Sequence, residues 1–112
     1  MENSFDRAAE IAALNDRFRR TFTGGEVVLT AGVRALAASG SLIPLFKAVQ
    51  THVPEAGNDP YGERDFGSLP FAGTTIFWKI DYYDLDRHGL SPDPADPSVT
   101  CRVLTIMHAD EY

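Results

Sequence analysis

Apolar and polar positions along this chain of 112 residues change period several times, and each change marks an element. Over residues 4–16 the apolar groups recur at helical spacing. Phe5, Ala8, Ile11, Ala12 and Leu14 share a stripe, Asn3 or Ser4 can cap it, and Asp6 stands in the first turn, where a carboxylate suits the helix dipole. Arg7 and Glu10 fall at i, i+3 on the outer face. The period then shortens to two. Residues 17–22 and 26–30 flank Gly24-Gly25, which predicts a β-hairpin with Phe18 and Phe22 on one face. Thr30 caps a second helix over residues 31–38, whose apolar stripe is Val33, Leu36 and Ala37 and whose stop is Ser39-Gly40.

Residues 44–53 fit two patterns. Leu45, Phe46 and Val49 suit a helix, but Leu45, Val49 and Val53 with Lys47 and Thr51 between them, and the β-branched residues at the end, favour a strand. Residues 54–72 carry Pro54, Gly57, Pro60, Gly62, Gly67 and Pro70, and read as a long loop of the kind that is often functional. Residues 74–84 are the clearest strand: Ile76, Trp78, Ile80 and Tyr82 take one face, and Thr75, Phe77, Lys79, Asp81 and Tyr83 the other. A second loop rich in Pro and Asp spans 85–98, and 99–109 forms a last strand, apolar enough on both faces to be central. The expected fold is a single α+β domain over residues 1–112. It has an N-terminal helix, a β-hairpin, a short helix and three strands of a mainly antiparallel sheet, with the helices on one face.

Composition narrows the function classes. Net charge is −6, but residues 1–54 hold six basic and five acidic groups, whereas residues 55–112 hold four and eleven. The halves therefore carry +1 and −7. Direct binding to phosphate backbones, which needs clustered Lys and Arg, is disfavoured, and a basic protein surface suits the acidic half. The one run that could touch nucleic acid, Arg17, Arg19 and Arg20 with Phe18 and Phe22, reads as a solvated face. Cys101 is the sole cysteine, so no internal disulfide forms, and it reads as a small buried hydrophobe in a reducing compartment. No secretory signal opens the sequence, and no apolar run approaches the about 20 residues that span a bilayer, so the expected location is the cytoplasm.

No catalytic constellation, cofactor signature or metal motif is complete. Asn58-Asp59-Pro60-Tyr61-Gly62-Glu63-Arg64-Asp65-Phe66-Gly67 gathers carboxylates without the spacing of a calcium loop. Asp84, Asp86 and His88 would share a side only if their strand continued, and Leu85, Arg87 and Gly89 argue that it ends. Asp93 and Asp96 sit between prolines, without the burial that separates the pKa values of an acid and a base. His52, His88 and His108 lack zinc-site spacing, and His108 lies within an apolar strand.

The motif blocks of the chain have a family likeness. Gly24-Gly25-Glu26-Val27-Val28-Leu29-Thr30-Ala31-Gly32-Val33, the 58–67 block, Phe77-Trp78-Lys79-Ile80-Asp81-Tyr82-Tyr83-Asp84, Ser91-Pro92-Asp93-Pro94-Ala95-Asp96-Pro97 and residues 100–112 resemble the domain of unknown function 3768, small proteins of alphaproteobacteria and their plasmids. The resemblance implies no activity. It implies a habitat on mobile elements, where small acidic proteins that blunt host restriction or CRISPR systems are frequent. The family pattern places His where this chain has Arg64, so a role needing that imidazole does not carry over.

The leading expectation is a non-enzymatic acidic protein that blocks a basic, nucleic-acid-binding surface of a host defence complex, of the anti-CRISPR or antirestriction type. Its expected contact residues are Asp59, Tyr61, Glu63, Asp65, Phe66, Asp81, Tyr83, Asp84, Asp86, Asp93 and Asp96. No catalytic residue, metal ligand or cofactor is assigned. The alternatives are a metal-dependent enzyme, with Asp59, Glu63, Asp65, Asp81 and His88 or His52 converging, and a plasmid maintenance or regulatory factor acting as a homodimer. If the last two strands pair antiparallel, the acids at 81–86 and 93–96 fall at one end of the sheet; whether the 55–65 loop joins them is open.

Overall fold

A computed structural model describes the chain from Ser4 to Tyr112, with side chains from Arg7 onward. The expected cap at Asn3 or Ser4 and the side chains of Phe5 and Asp6 lie outside the described part. In chain order the elements are α1 (Ser4–Thr21), β1 (Glu26–Leu29), α2 (Ala31–Ala35), α3 (Ile43–Thr51), β2 (Phe66–Phe71), β3 (Thr74–Tyr83) and β4 (Cys101–His108). Single 3₁₀ turns cover Leu36–Ser39, Ala56–Asn58, Pro97–Val99 and Ala109–Glu111. The fold is α+β, and the sheet runs β1-β4-β3-β2. No helix of the described residues is long and apolar enough to cross a membrane.

The hairpin expected around Gly24-Gly25 does not form. Helix α1 runs on through residues 17–21, and β1 pairs in parallel with β4, Glu26 opposite Val103 and Leu29 opposite Ile106. The helical period explains why. Among the described side chains of α1 the buried ones are Ile11, Ala12, Asn15, Phe18 and Arg19; Ile11, Asn15, Phe18 and Arg19 follow i, i+4, i+7, i+8, and Ala12 flanks them on one continuous stripe. Two of its members are polar, which breaks the hydrophobic signal without breaking the helix.

Residues 44–53 are likewise helical, not extended. Pro44 sits in the first turn of α3, where its missing N–H costs nothing, and Leu45 and Val49 bury fully at i, i+4. Inside the stretch expected as a loop lies β2, paired antiparallel with β3 from Phe66 opposite Lys79 to Phe71 opposite Thr74. Ala72 and Gly73 close this hairpin, both at positive φ (52° and 79°), as a two-residue turn matched to strand twist requires. Pro70 is tolerated because β2 is an edge strand.

The expected strands over 74–84 and 99–109 are present as β3 and β4. They pair antiparallel from Ile76 opposite His108 to Tyr83 opposite Cys101. All three helices lie on one face of the sheet. Phe18, Val33, Leu45 and Val49 pack there against Leu69, Ile76, Trp78, Ile80, Leu104 and Ile106. On the opposite face Phe66, Phe77 and Tyr112 meet edge to face, with ring centroids 5.1–6.0 Å apart. Cys101, expected to be buried, is half-exposed on this open face.

Trp78 is the largest fully buried side chain. Its indole lies directly on Gly67 of the neighbouring strand, where an added Cβ would overlap the ring. Gly67→Ala should therefore cost about 1–3 kcal/mol in chemical denaturation. Gly57→Ala, where a Cβ meets nothing within 4 Å, should stay within about 0.5 kcal/mol of the parent.

Candidate partner-binding site at the acidic end of the sheet

The chain does not bury only apolar groups between α1 and the sheet. Arg102 of β4 points to the helix side and is 3% exposed. Taking a guanidinium out of water costs several kcal/mol unless its donors find acceptors. Its Nε donates to Asn15 Oδ1 at 2.9 Å, another amino group donates to the Pro94 carbonyl, and the guanidinium lies over the Tyr82 ring, 5.3 Å from the centroid. Asn15, itself fully buried, donates through Nδ2 to Tyr82 Oη (2.8 Å) and to the Glu63 carbonyl (3.0 Å). The Tyr82 hydroxyl donates in turn to Glu63 Oε1 at 2.9 Å. Burial pushes the Tyr82 phenol far up, so it stays a donor, and burial lowers Arg102, which Tyr82 and Glu63 partly offset.

A second guanidinium closes the other end of α1. Arg19 is 1% exposed, stacks over Trp78 with 4.9 Å to the ring centroid, and donates to the carbonyls of Val49, Gln50 and His52 at the end of α3. The carbonyls in the last turn of α3 carry the negative end of its dipole, and that of Val49 also accepts the His52 N–H at 3.3 Å. Trp78 Nε1 donates to His52 Nδ1 at 3.1 Å, and burial, with Arg19 close by, holds the His52 pKa down and keeps that nitrogen an acceptor. The basic run 17–20 is thus not a uniformly solvated face: Arg17 and Arg20 are exposed and Arg19 is interior.

These contacts position the acidic segments. Strand β2 starts opposite Lys79 and β4 starts opposite Tyr83, so the residues before β2, after β3 and before β4 meet at one end of the sheet. The 55–65 loop therefore joins the acids at 81–86 and 93–96. Arg64 fixes it: Nε donates to both oxygens of Asp16 on α1, at 2.8 and 2.9 Å, and the Arg64 N–H donates to Asp59 Oδ1. Arg64 thereby grips the chain's own first helix.

Most expected contact residues do reach this end, but several are already engaged. Asp93 pairs with Arg7 at 2.7 Å and Asp81 with Lys79 at 2.9 Å. Asp96 accepts from the N–H and hydroxyl of Ser98, which lower its pKa. Asp84 accepts the His88 N–H and shapes the turn. Asp86 is exposed, Tyr61 is 79% exposed, and Phe66 and Tyr83 are half-buried on the open sheet face. Asp65 is half-buried, and desolvation, then Glu63, pushes its pKa up. The five-residue convergence needed by a metal-dependent enzyme does not assemble. Among the described residues no group of three or more His, Cys, Asp or Glu is placed to hold a metal ion, and His52 is committed to Trp78.

Two clefts flank the 59–65 loop. One, of about 760 Å³, lies between α1 and the loop; the other, of about 360 Å³, lies over Asp65, Lys79 and Asp81 beside Tyr112. At the far end of the sheet, Glu111 accepts from the Thr30 hydroxyl (2.7 Å), the His108 N–H (2.8 Å) and the Gly32 N–H (3.0 Å), which hold its pKa down and tie it to the start of α2.

Asn15→Ala should cost about 2–4 kcal/mol, since it strands the buried Arg102 Nε donor and removes the N–H that the Tyr82 oxygen accepts, and Tyr82→Phe about 1–2 kcal/mol, both read by chemical denaturation. Asp65 gives a pH signature. Its folded pKa lies above the ordinary 3.8, so the fold favours its protonated form, and stability present at low pH is withdrawn as pH rises through the folded value. Asp65→Asn should therefore be more stable than the parent at neutral pH, and the gap should close as pH falls below 3.8, in urea titrations at several pH values.

No curated protein and no solved structure matches the chain. The model of a family described as "Protein of unknown function (DUF3768)" matches residues 29–111, which include β2 to β4, Arg102, Tyr82 and Glu63, whereas Asn15, Asp16, Arg19 and all of β1 but Leu29 precede it. The match covers well over half of the chain: the protein belongs to the DUF3768 family.

Proposed function

We propose that this is a non-enzymatic binding protein that presents the acidic end of its sheet to a basic, nucleic-acid-binding surface of another protein. The observation that carries this reading is the convergence of three acid-bearing segments, 59–65, 81–86 and 93–96, beside exposed aromatic surface at Tyr61. Like charge gathered on one end produces a field that steers a basic partner into place, and aromatic anchors then supply close-range affinity. The class of partner suggested by the resemblance is the effector of a host defence system, a CRISPR or restriction complex, whose nucleic-acid channel would be blocked. Its place of action would be the cytoplasm, where a lone cysteine stays reduced.

The test uses carboxylates whose loss spares the fold. In Asp84→Asn with Asp86→Asn, the amide oxygen at 84 can still accept the His88 N–H. Proteins captured on the immobilised full chain from its native host should be basic nucleic-acid binders. Their recovery should fall as salt rises from about 50 to 500 mM, because the interaction is screened, and should drop sharply with the double variant. Capture indifferent to both salt and variant would overturn the reading.

A further inference from the structure

We propose that the cleft between α1 and the 59–63 loop is a socket for an arginine-bearing segment of the partner. The inference rests on the acidic end being the partner-binding face. The cleft measures about 760 Å³, within the range of built ligand sites and roomy enough for a side chain together with its flanking backbone. Its walls are apolar, from Ala8, Ile11, Pro60 and Pro94, and Glu63 stands among them.

Glu63 is what makes this a socket and not merely a groove. Its Oε1 accepts from the hydroxyl of half-buried Tyr82, and its carbonyl is held by Asn15, so both ends of the residue are fixed from behind. Its second carboxylate oxygen has no hydrogen bond among the described residues. A carboxylate immobilised before binding loses little entropy when a cation arrives. The other charges around the cleft do not oppose that cation: Arg7 is ion-paired to Asp93 at 2.7 Å, and Asp59 adds a second carboxylate. Both carboxylates would repel an acidic segment.

The choice of arginine over lysine follows from Tyr61. Its ring is 79% exposed at the lip of the cleft, on a loop held by Gly62 at φ 70°. A planar guanidinium can stack on such a ring while its fork reaches a carboxylate, a combination an ammonium makes less well.

The test is a titration of the ¹⁵N-labelled full chain with the peptide acetyl-Ala-Arg-Ala-amide, and with its lysine counterpart, followed by amide shifts. Shifts should centre on Ala8, Ile11, Tyr61, Gly62 and Glu63, and the lysine peptide should bind several-fold more weakly. Glu63→Gln, which keeps an acceptor for Tyr82, and Tyr61→Ala, which alters an exposed residue, should each raise the Kd about tenfold. Shifts centred on the 84–88 turn, equal binding of the two peptides, or unchanged affinity in both variants would overturn the socket. If salt- and charge-dependent capture of basic proteins persisted in that case, only the socket would fall; if that capture also failed, the acidic-end reading would fall with it.

Discussion

A guanidinium buried between a helix and a sheet must be given acceptors, and Arg102 sets that demand for this fold. Leaving its donors unpaired would cost several kcal/mol, a large share of the stability of a domain this size. Asn15, Pro94 and the face of Tyr82 meet the demand, and each choice constrains something else. Asn15 fixes the rotation of α1. Pro94 fixes the descent of the loop into β4. Tyr82, held by Asn15, leaves its hydroxyl to seat Glu63 and with it the 59–65 loop. The acidic surface is therefore not a separate decoration; its geometry follows from how one interior cation is satisfied.

Much of this fold was readable from spacing alone. The alternation of Ile76, Trp78, Ile80 and Tyr82 identified the inner face of β3, and the pairing of the last two strands placed the 85–98 loop at the sheet's end. Where the reading failed, a local signal was overruled by a tertiary one. Asn15 and Arg19 are polar residues on the buried stripe of α1, so the stripe looked finished at residue 16, and Gly24-Gly25 supplied a turn with no hairpin to serve. In α3 the β-branched residues suggested extension, although Pro44 in the first turn and Leu45–Val49 spacing carried the helical information. Strand β2 was hidden because it holds a glycine and a proline: the first seats the Trp78 indole and the second is harmless at an edge. The parallel β1–β4 pair has no local signature at all.

Of the candidate site, the residues were largely legible but their states were not. Counting carboxylates gives a half-chain charge of −7, whereas Asp81 and Asp93 are each opposed by a cation within 3.0 Å and Asp59 and Asp96 accept backbone N–H groups. The acids left for a partner are fewer, and Glu63 stands out because the interior network holds it in place. The network members Asn15 and Arg102 were legible only as polar residues at core-facing positions, a signal that asks for a partner without naming it.

Asn15 and Arg102 lie 87 positions apart, and Thr30 and Glu111 lie 81 apart. For a chain emerging from the ribosome this has a temporal meaning. Helix α1 is made before the sheet, yet Asn15 on its inner stripe has no Arg102 to accept from until β4 has been synthesised. Strand β1 waits for the same partner. The elements cannot mature in order of appearance; they must assemble together, after a long search for distant contacts, in one cooperative step. Until that step, α1 displays the Asn15 amide without Arg102 among its apolar groups, which discourages premature collapse onto the wrong surface, because burying that amide without its partners is uphill.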